Sequence, residues 1–138
     1  MHLASHPQPH RRRSGFGFSL VEMLAAVAIM GVIAFLAIPS VTRMRSDAER
    51  NLAISRAESL NLAQSSFIQV RGRGTAETLW IGTGASNESK YQLLRPYLSF
   101  SETTLTRFLP GGYNVQFPAS VLSMTKVGLV GPSGIIPY

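Results

Sequence analysis

Residues 17–39 read GFSLVEMLAAVAIMGVIAFLAIP, and from Phe18 to Ile38 only Ser19 and Glu22 interrupt an apolar run. At about 1.5 Å per residue that run predicts a helix on the order of 30 Å long, the thickness of a bilayer core. A helix apolar on every side must be covered by lipid or by other helices, so the stretch reads as a candidate membrane span. Glu22 is the anomaly within it, because a carboxylate near the start of a spanning helix is costly unless something compensates for it.

Upstream, residues 1–14 are polar, rich in His, Pro and Arg, and read as a leader without apolar periodicity. Arg11, Arg12 and Arg13 place a basic cluster just before the span. Arg43, Arg45, Arg50 and Arg56 follow it closely, so the positive-inside count leaves orientation open. Within the span Ala25, Ala28, Gly31, Ala34 and Ala37 recur at every third position. Such a track winds around a helix, which suits contact with several neighbouring helices, although alanine is also simply a common helix former.

Downstream of Pro39 the pattern turns amphipathic: Val41, Met44, Ala48 and Leu52, then Ala53, Ala57, Leu60, Ala63, Phe67 and Val70. Spacings of three and four predict a helix that continues out of the membrane and buries one face against a soluble layer. Pro39 itself marks either a kink in one long helix or the end of the anchor. The helical signal stops at Arg71-Gly72-Arg73-Gly74, where glycine eases a helix C-terminus and arginine suits its negative dipole end. Beyond it, short strands are predicted at Thr78–Ile81, Tyr91–Leu94, Tyr113–Phe117 and Lys126–Val130, with Pro110-Gly111-Gly112 as a hairpin turn. So little material cannot build a comfortable core alone, and packing on the amphipathic helix is the economical solution. The expected fold class is α+β: a long N-terminal helix packed on a small antiparallel β-sheet head. Its expected parts are a leader (1–17), a transmembrane half-helix (18–39), an amphipathic helix (40–74) and a small β-rich head (75–138).

Composition excludes much chemistry. The 138 residues contain no Cys, every His lies in the leader (His2, His6 and His10), and Asp47 is the sole Asp. A Ser/His/Asp or Cys/His nucleophile system has no base beyond residue 10, and zinc lacks its usual ligands. The loop Gly82-Thr83-Gly84-Ala85-Ser86 lacks the Lys of a phosphate-binding loop and reads as a turn. The net charge of +6 sits mostly in the leader and in residues 43–73, so the nearly neutral far end argues against a nucleic-acid face. An enzyme is not indicated, and no cofactor or metal is implied.

The segment Gly17-Phe18-Ser19-Leu20-Val21-Glu22-Met23-Leu24, with Arg11–Arg13 before it, resembles the N-terminal signal of type IV prepilins and type II secretion pseudopilins. In that family a basic leader ends in Gly, followed by an aromatic residue, a short apolar stretch and a Glu. The resemblance implies cleavage between Gly17 and Phe18 by a membrane-embedded prepilin peptidase, then N-methylation of Phe18. Gly15 competes for the cut, but cleavage after Gly17 makes Glu22 the fifth residue of the product, which is the family's spacing. Glu22 would then pair with the new amine, in its own chain or between subunits, and Pro39 matches a proline these subunits often carry.

The implied partners are the prepilin peptidase/N-methyltransferase, homologous pilin or pseudopilin subunits met through the N-terminal helix, and an inner-membrane assembly platform. The implied location is the cytoplasmic membrane, single-pass, with the leader inside and the head outside. The head carries too few scattered acids (Glu77, Glu88 and Glu102) for a calcium cage like that of some major pseudopilins. The rival readings are an ordinary signal peptide, whose small-x-small site is spoiled by Phe35 two residues before Ala37, and a generic single-pass anchor.

Overall fold

A computed structural model describes residues 17–84 and 86–138. Arg11, Arg12 and Arg13, and with them nearly all of the leader, lie outside the described residues, as does Ala85 of the 82–86 loop. Internal contacts divide the chain into two units, one ending at Val41 and the other running from Thr42 to Tyr138.

In the first unit every described residue is exposed, from Gly17 through Val41. The first helix, α1, spans Leu20–Arg71 and its assignment continues through Pro39. Phe18 is 82% exposed and Phe35 78%, so nothing among the described residues of the unit covers the apolar run. An 18-residue window here has a mean hydropathy of 2.5, long and apolar enough by length and composition to cross a membrane.

In the second unit the same helix has a buried face made by Ala53, Ala57, Leu60, Ala63, Gln64 and Phe67. Three alanines let the head approach the helix backbone closely, while Leu60 and Phe67 fill the space beyond. The amphipathic stripe is shorter than its sequence predicts. Met44, Ala48, Leu52 and Val70 are exposed, as is Val41 in the first unit, because the face that the head buries runs from Ala53 to Phe67.

Helix α1 ends at Arg71, as the Arg-Gly repeat predicts: Gly72 adopts φ 78°, a conformation that costs a side-chain-bearing residue energy. The chain then re-enters helix at once, as α2 (Arg73–Gly82). This corrects the strand predicted at Thr78–Ile81. Ala76 and Trp80, four residues apart, are both fully buried, and that helical pairing outweighs the β propensity of Thr78 and Ile81. The strand predicted at Tyr91–Leu94 is likewise helical, in α3 (Asn87–Leu94). There Tyr91 and Leu94 share the buried face, and Gln92 Nε2 donates to Glu88 Oε1 across one turn at 2.7 Å.

A 3₁₀ turn (Arg95–Tyr97) and a one-turn helix α4 (Leu105–Phe108) lead to the sheet. Pro110-Gly111-Gly112 does form a turn, closed by Tyr113 N–H donating to Pro110 O at 3.2 Å. It joins α4 to a strand instead of linking two strands, which corrects the hairpin expectation. The strands are β1 (Asn114–Gln116), β2 (Gly128–Gly131) and β3 (Gly134–Ile136), antiparallel in the order β1-β2-β3. The first falls within its predicted segment and the second overlaps its own, running one residue past Val130, whereas β3 was not anticipated. The register pairs Val115 with Leu129, both fully buried. The hairpin lies between β2 and β3, where a Cβ on Gly131 would stand 2.7 Å from Ile136 Cδ1 and 3.1 Å from Tyr113 Cε1, so that both side chains would have to shift.

Trp80 centres the core. Its ring lies 6.3 Å from Phe67 and 5.7 Å, edge-on, from Phe117, and its Nε1–H donates to Pro118 O at 3.0 Å. Lys90, only 6% exposed, donates to the same carbonyl at 3.0 Å and rests 5.2 Å from the Trp80 ring centre. The outer edge of β1 is closed by one side chain, since Asn87 Nδ2 donates to Val115 O (2.8 Å) and Phe117 N–H donates to Asn87 Oδ1 (3.3 Å). An amide that imitates a neighbouring strand is one way to blunt a sheet edge.

Candidate functional site: the start of the long helix and its anchorage in the head

The residues singled out by sequence lie in a short stretch at the head of α1. Gly17 and Phe18 are extended and exposed, and the helix begins two residues after the candidate cut. Ser19 is the pivot. Its carbonyl accepts the first helical bond from Met23 N–H at 3.1 Å, its Oγ accepts from Val21 N–H at 3.3 Å, and its own N–H donates to Glu22 Oε2 at 2.9 Å. A serine and a glutamate three residues apart that satisfy each other's end of the helix form a capping box, which fixes where the helix starts.

Sequence reasoning gave Glu22 a role through its charge and missed Ser19 altogether, although the Ser-x-x-Glu spacing ahead of an apolar run was the signal available. The cap supplies a local reason for an acid at this place: its oxygen holds an otherwise unpaired backbone donor at the helix N-terminus, where negative charge is also favoured. Glu22 is exposed, as are Gly17, Phe18 and Pro39, so nothing among the described residues shields the carboxylate. Pro39 sits within the assigned helix, two residues before the division between the two units.

The second unit fastens its far end to α1 through a polar cluster that sequence reasoning did not find. Asn61 Oδ1 accepts from Val127 N–H at 2.8 Å, and its Nδ2 donates to the hydroxyl of Tyr138 and to Glu58 Oε2, each at 3.3 Å. The Tyr138 hydroxyl in turn donates to Val127 O. Lys126 Nζ bridges Glu58 Oε1 (2.9 Å) and Tyr138 O (3.2 Å), and lies 4.9 Å from the centre of the Tyr138 ring. Hydrogen bonds from Lys126 and then Asn61 hold the Glu58 carboxyl below its ordinary range, and burial pushes the Tyr138 phenol above its own.

A second tie comes from Glu77, whose Oε2 accepts from Val121 N–H (3.1 Å) and Leu122 N–H (3.4 Å) and so caps the 3₁₀ turn Val121–Ser123. Glu88 Oε2 does the same for Leu105 N–H at 2.9 Å. Two of the three head acids are therefore occupied in capping backbone. Arg56 stacks over the rings of Phe100 and Phe108, its Cζ 4.0 and 4.8 Å from their centres.

An exposed apolar half-helix that begins at a capping box thus runs into a half that carries a small α+β head. The sequence is 29% identical over 75 residues to the type IV major pilin protein PilA of Myxococcus xanthus (strain DK1622), a stretch covering 54% of this chain and 34% of that protein. The match thus spans about a third of the relative's length. No protein-family model matches the chain, and no solved structure does.

Proposed function

We propose that this chain is a structural subunit of a type IV pilus-like filament or type II secretion pseudopilus. In this reading it is cut between Gly17 and Phe18 by a prepilin peptidase, N-methylated on Phe18, and assembled through its apolar half-helix. The observation that carries the reading is the bare half of α1: an apolar run with every described residue exposed, opening on a carboxylate at the fifth position beyond the cut. Such a surface needs lipid before assembly and other helices after it. The similarity to a major pilin supports the same conclusion.

Cleavage would create a positive amine at Phe18, one residue from the Ser19 N–H that Glu22 caps. An α-amino group has a pKa of about 8, so it is largely charged at neutral pH. It can neutralise Glu22 in its own chain, or Glu22 of a neighbour and so set the axial register between subunits. Before assembly the protein would lie in the cytoplasmic membrane as a single-pass anchor with the head outside. Its partners there would be the peptidase/N-methyltransferase, the assembly platform and other subunits. Pro39 would serve as a local melting or bending point during assembly, because it removes one backbone donor from the helix.

The deciding experiment is intact mass and N-terminal sequencing of protein extracted from membranes. The expected product begins at Phe18 and carries one added methyl group, and replacing Gly17 with Leu should leave the precursor uncut. Retention of the leader in working assemblies, or loss of about 37 residues as an ordinary signal peptide would give, refutes the proposal.

A further inference from the structure

Between α1 and the segment that leads from the Val121–Ser123 turn to β2 there is a recess of about 90 Å³, lined by Asn61, Gln64, Ser65, Met124, Thr125 and Lys126. Gln64 stands on the buried face of α1 and is 5% exposed. Its carboxamide has no hydrogen-bonding partner among the described residues, yet neither of its polar atoms is fully enclosed. The little exposure it keeps therefore falls on the amide, which looks into the recess. An amide that meets only solvent at the wall of a recess keeps its donors and its acceptor available to a ligand.

The opposite wall is also unusual. Met124 has φ 53° and ψ 21°, and it is the one non-glycine with positive φ among the described residues. A methionine held in the left-handed region is uncommon, and here it caps the Val121–Ser123 turn, its N–H donating to Val121 O at 3.4 Å. Its side chain is 63% exposed, leaving apolar surface beside a polar recess.

The charges of the recess are already spoken for. Lys126 is matched by Glu58 and by the Tyr138 carbonyl, and Asn61 is used on Glu58, Tyr138 and Val127. An anion would find no unpaired cation and a metal ion no unpaired carboxylate, while an apolar group would strand Gln64. What remains is neutral and offers both donors and acceptors: the Gln64 amide, the Thr125 hydroxyl, and Ser65 Oγ, which donates to Asn61 O at 3.4 Å and keeps acceptor capacity. A vicinal diol meets that pattern, one hydroxyl accepting from the amide nitrogen while the other donates to the amide oxygen, with a C–H face left for Met124.

We propose that this recess is a binding subsite for the vicinal hydroxyls of a carbohydrate, held by Gln64 with Thr125 and Ser65 beside it and Met124 against the ring. The recess admits one edge of one sugar ring, so affinity for a single sugar should be weak, on the order of millimolar. Carbohydrate binding at this place does not depend on the assembly reading and stands or falls separately from it.

The test is saturation-transfer NMR on the full chain in phosphocholine micelles, which avoid sugar-headed detergent. The probes are the methyl glycosides of glucose, galactose, mannose and N-acetylglucosamine, with acetamide as a carboxamide probe. At least one glycoside should receive saturation, and Gln64→Leu should cut that signal roughly tenfold, the loss expected when a bidentate polar contact goes. Thr125→Val, a surface change remote from the core, should weaken the signal in the same sense and guards against a folding defect in the first variant. No transfer to any glycoside, undiminished transfer in both variants, or preference for acetamide over every glycoside overturns the proposal.

Discussion

The two halves of α1 are built from one continuous helix and have opposite requirements. From Leu20 to Val41 every residue is exposed, and the side-chain polar contacts at its start among the described residues are those of the Ser19–Glu22 cap. From Ala53 to Phe67 one face is sealed by the head, and its polar residues, Glu58 and Asn61 above all, reach across to residues more than sixty positions away. The first half leaves its burial to be completed by lipid or by other chains. The second completes its own. Substitutions in the first half should therefore alter what the protein associates with, and those in the second should alter whether the head is folded.

The largest expected effect lies in the first half. Glu22→Ala should be processed normally and yet yield no filaments, while the unfolding of the head is unchanged. Glu22→Gln sharpens the point, since its amide oxygen still accepts from Ser19 N–H but the charge is gone: failure of both variants in filament imaging assigns the role to charge, and rescue by Gln assigns it to the cap. Abundant filaments from Glu22→Ala would erase the proposed contrast between the halves.

Next comes Trp80→Ala, expected to cost the head ~3–5 kcal/mol, as large aromatic truncations in a packed core do. Val32→Ala in the first half should change the same denaturant midpoint by less than ~0.5 kcal/mol. A comparable loss from both would show that the apolar half contributes to folding of the head.

Asn61→Ala should cost ~1–3 kcal/mol by leaving the Val127 N–H without its acceptor, and should speed hydrogen exchange at that amide. The smallest effect is the pH dependence of the same cluster. Because the folded state holds Glu58 below the carboxylate range, its contribution is complete above the unfolded-state pKa and fades as pH falls through the lower folded value. Tyr138 works in the opposite direction: burial raises its phenol, so its contribution is complete below the ordinary phenol range and is lost as pH rises through it. Thermal melts of the wild type should thus lose stability at both extremes, and Glu58→Gln should flatten the acid limb. An unchanged acid limb would remove Glu58 from the cluster's energetics.

How much of this was legible without coordinates follows from the range of each interaction. The span from Phe18 to Ile38, the helix stop at Arg71-Gly72 and the first two strands are set by periodicity and by glycine, which act within a few residues and are written in order along the chain. The Ser19–Glu22 cap was equally local and equally readable, but the acid's charge drew the interpretation elsewhere. Helices α2 and α3 were misread as strands because Thr78, Ile81 and Tyr91 favour strands locally, while burial of Trp80, Tyr91 and Leu94 against distant partners favours helix. Strand β3 gave no alternation to read, its burial pattern being set almost wholly by its pairing with β2.

By itself, then, the sequence determined the bare apolar half-helix, the amphipathic continuation and the α+β class, because an apolar run or a three-four spacing needs no partner to be recognised. Tertiary structure alone decided that Asn61 and Glu58 would meet Lys126, Val127 and Tyr138, and that Gln64 would face a recess with no partner of its own. Those outcomes turn on which backbone donors and side-chain amides come within about 3 Å of one another after the chain has doubled back, and nothing in residue order encodes that distance.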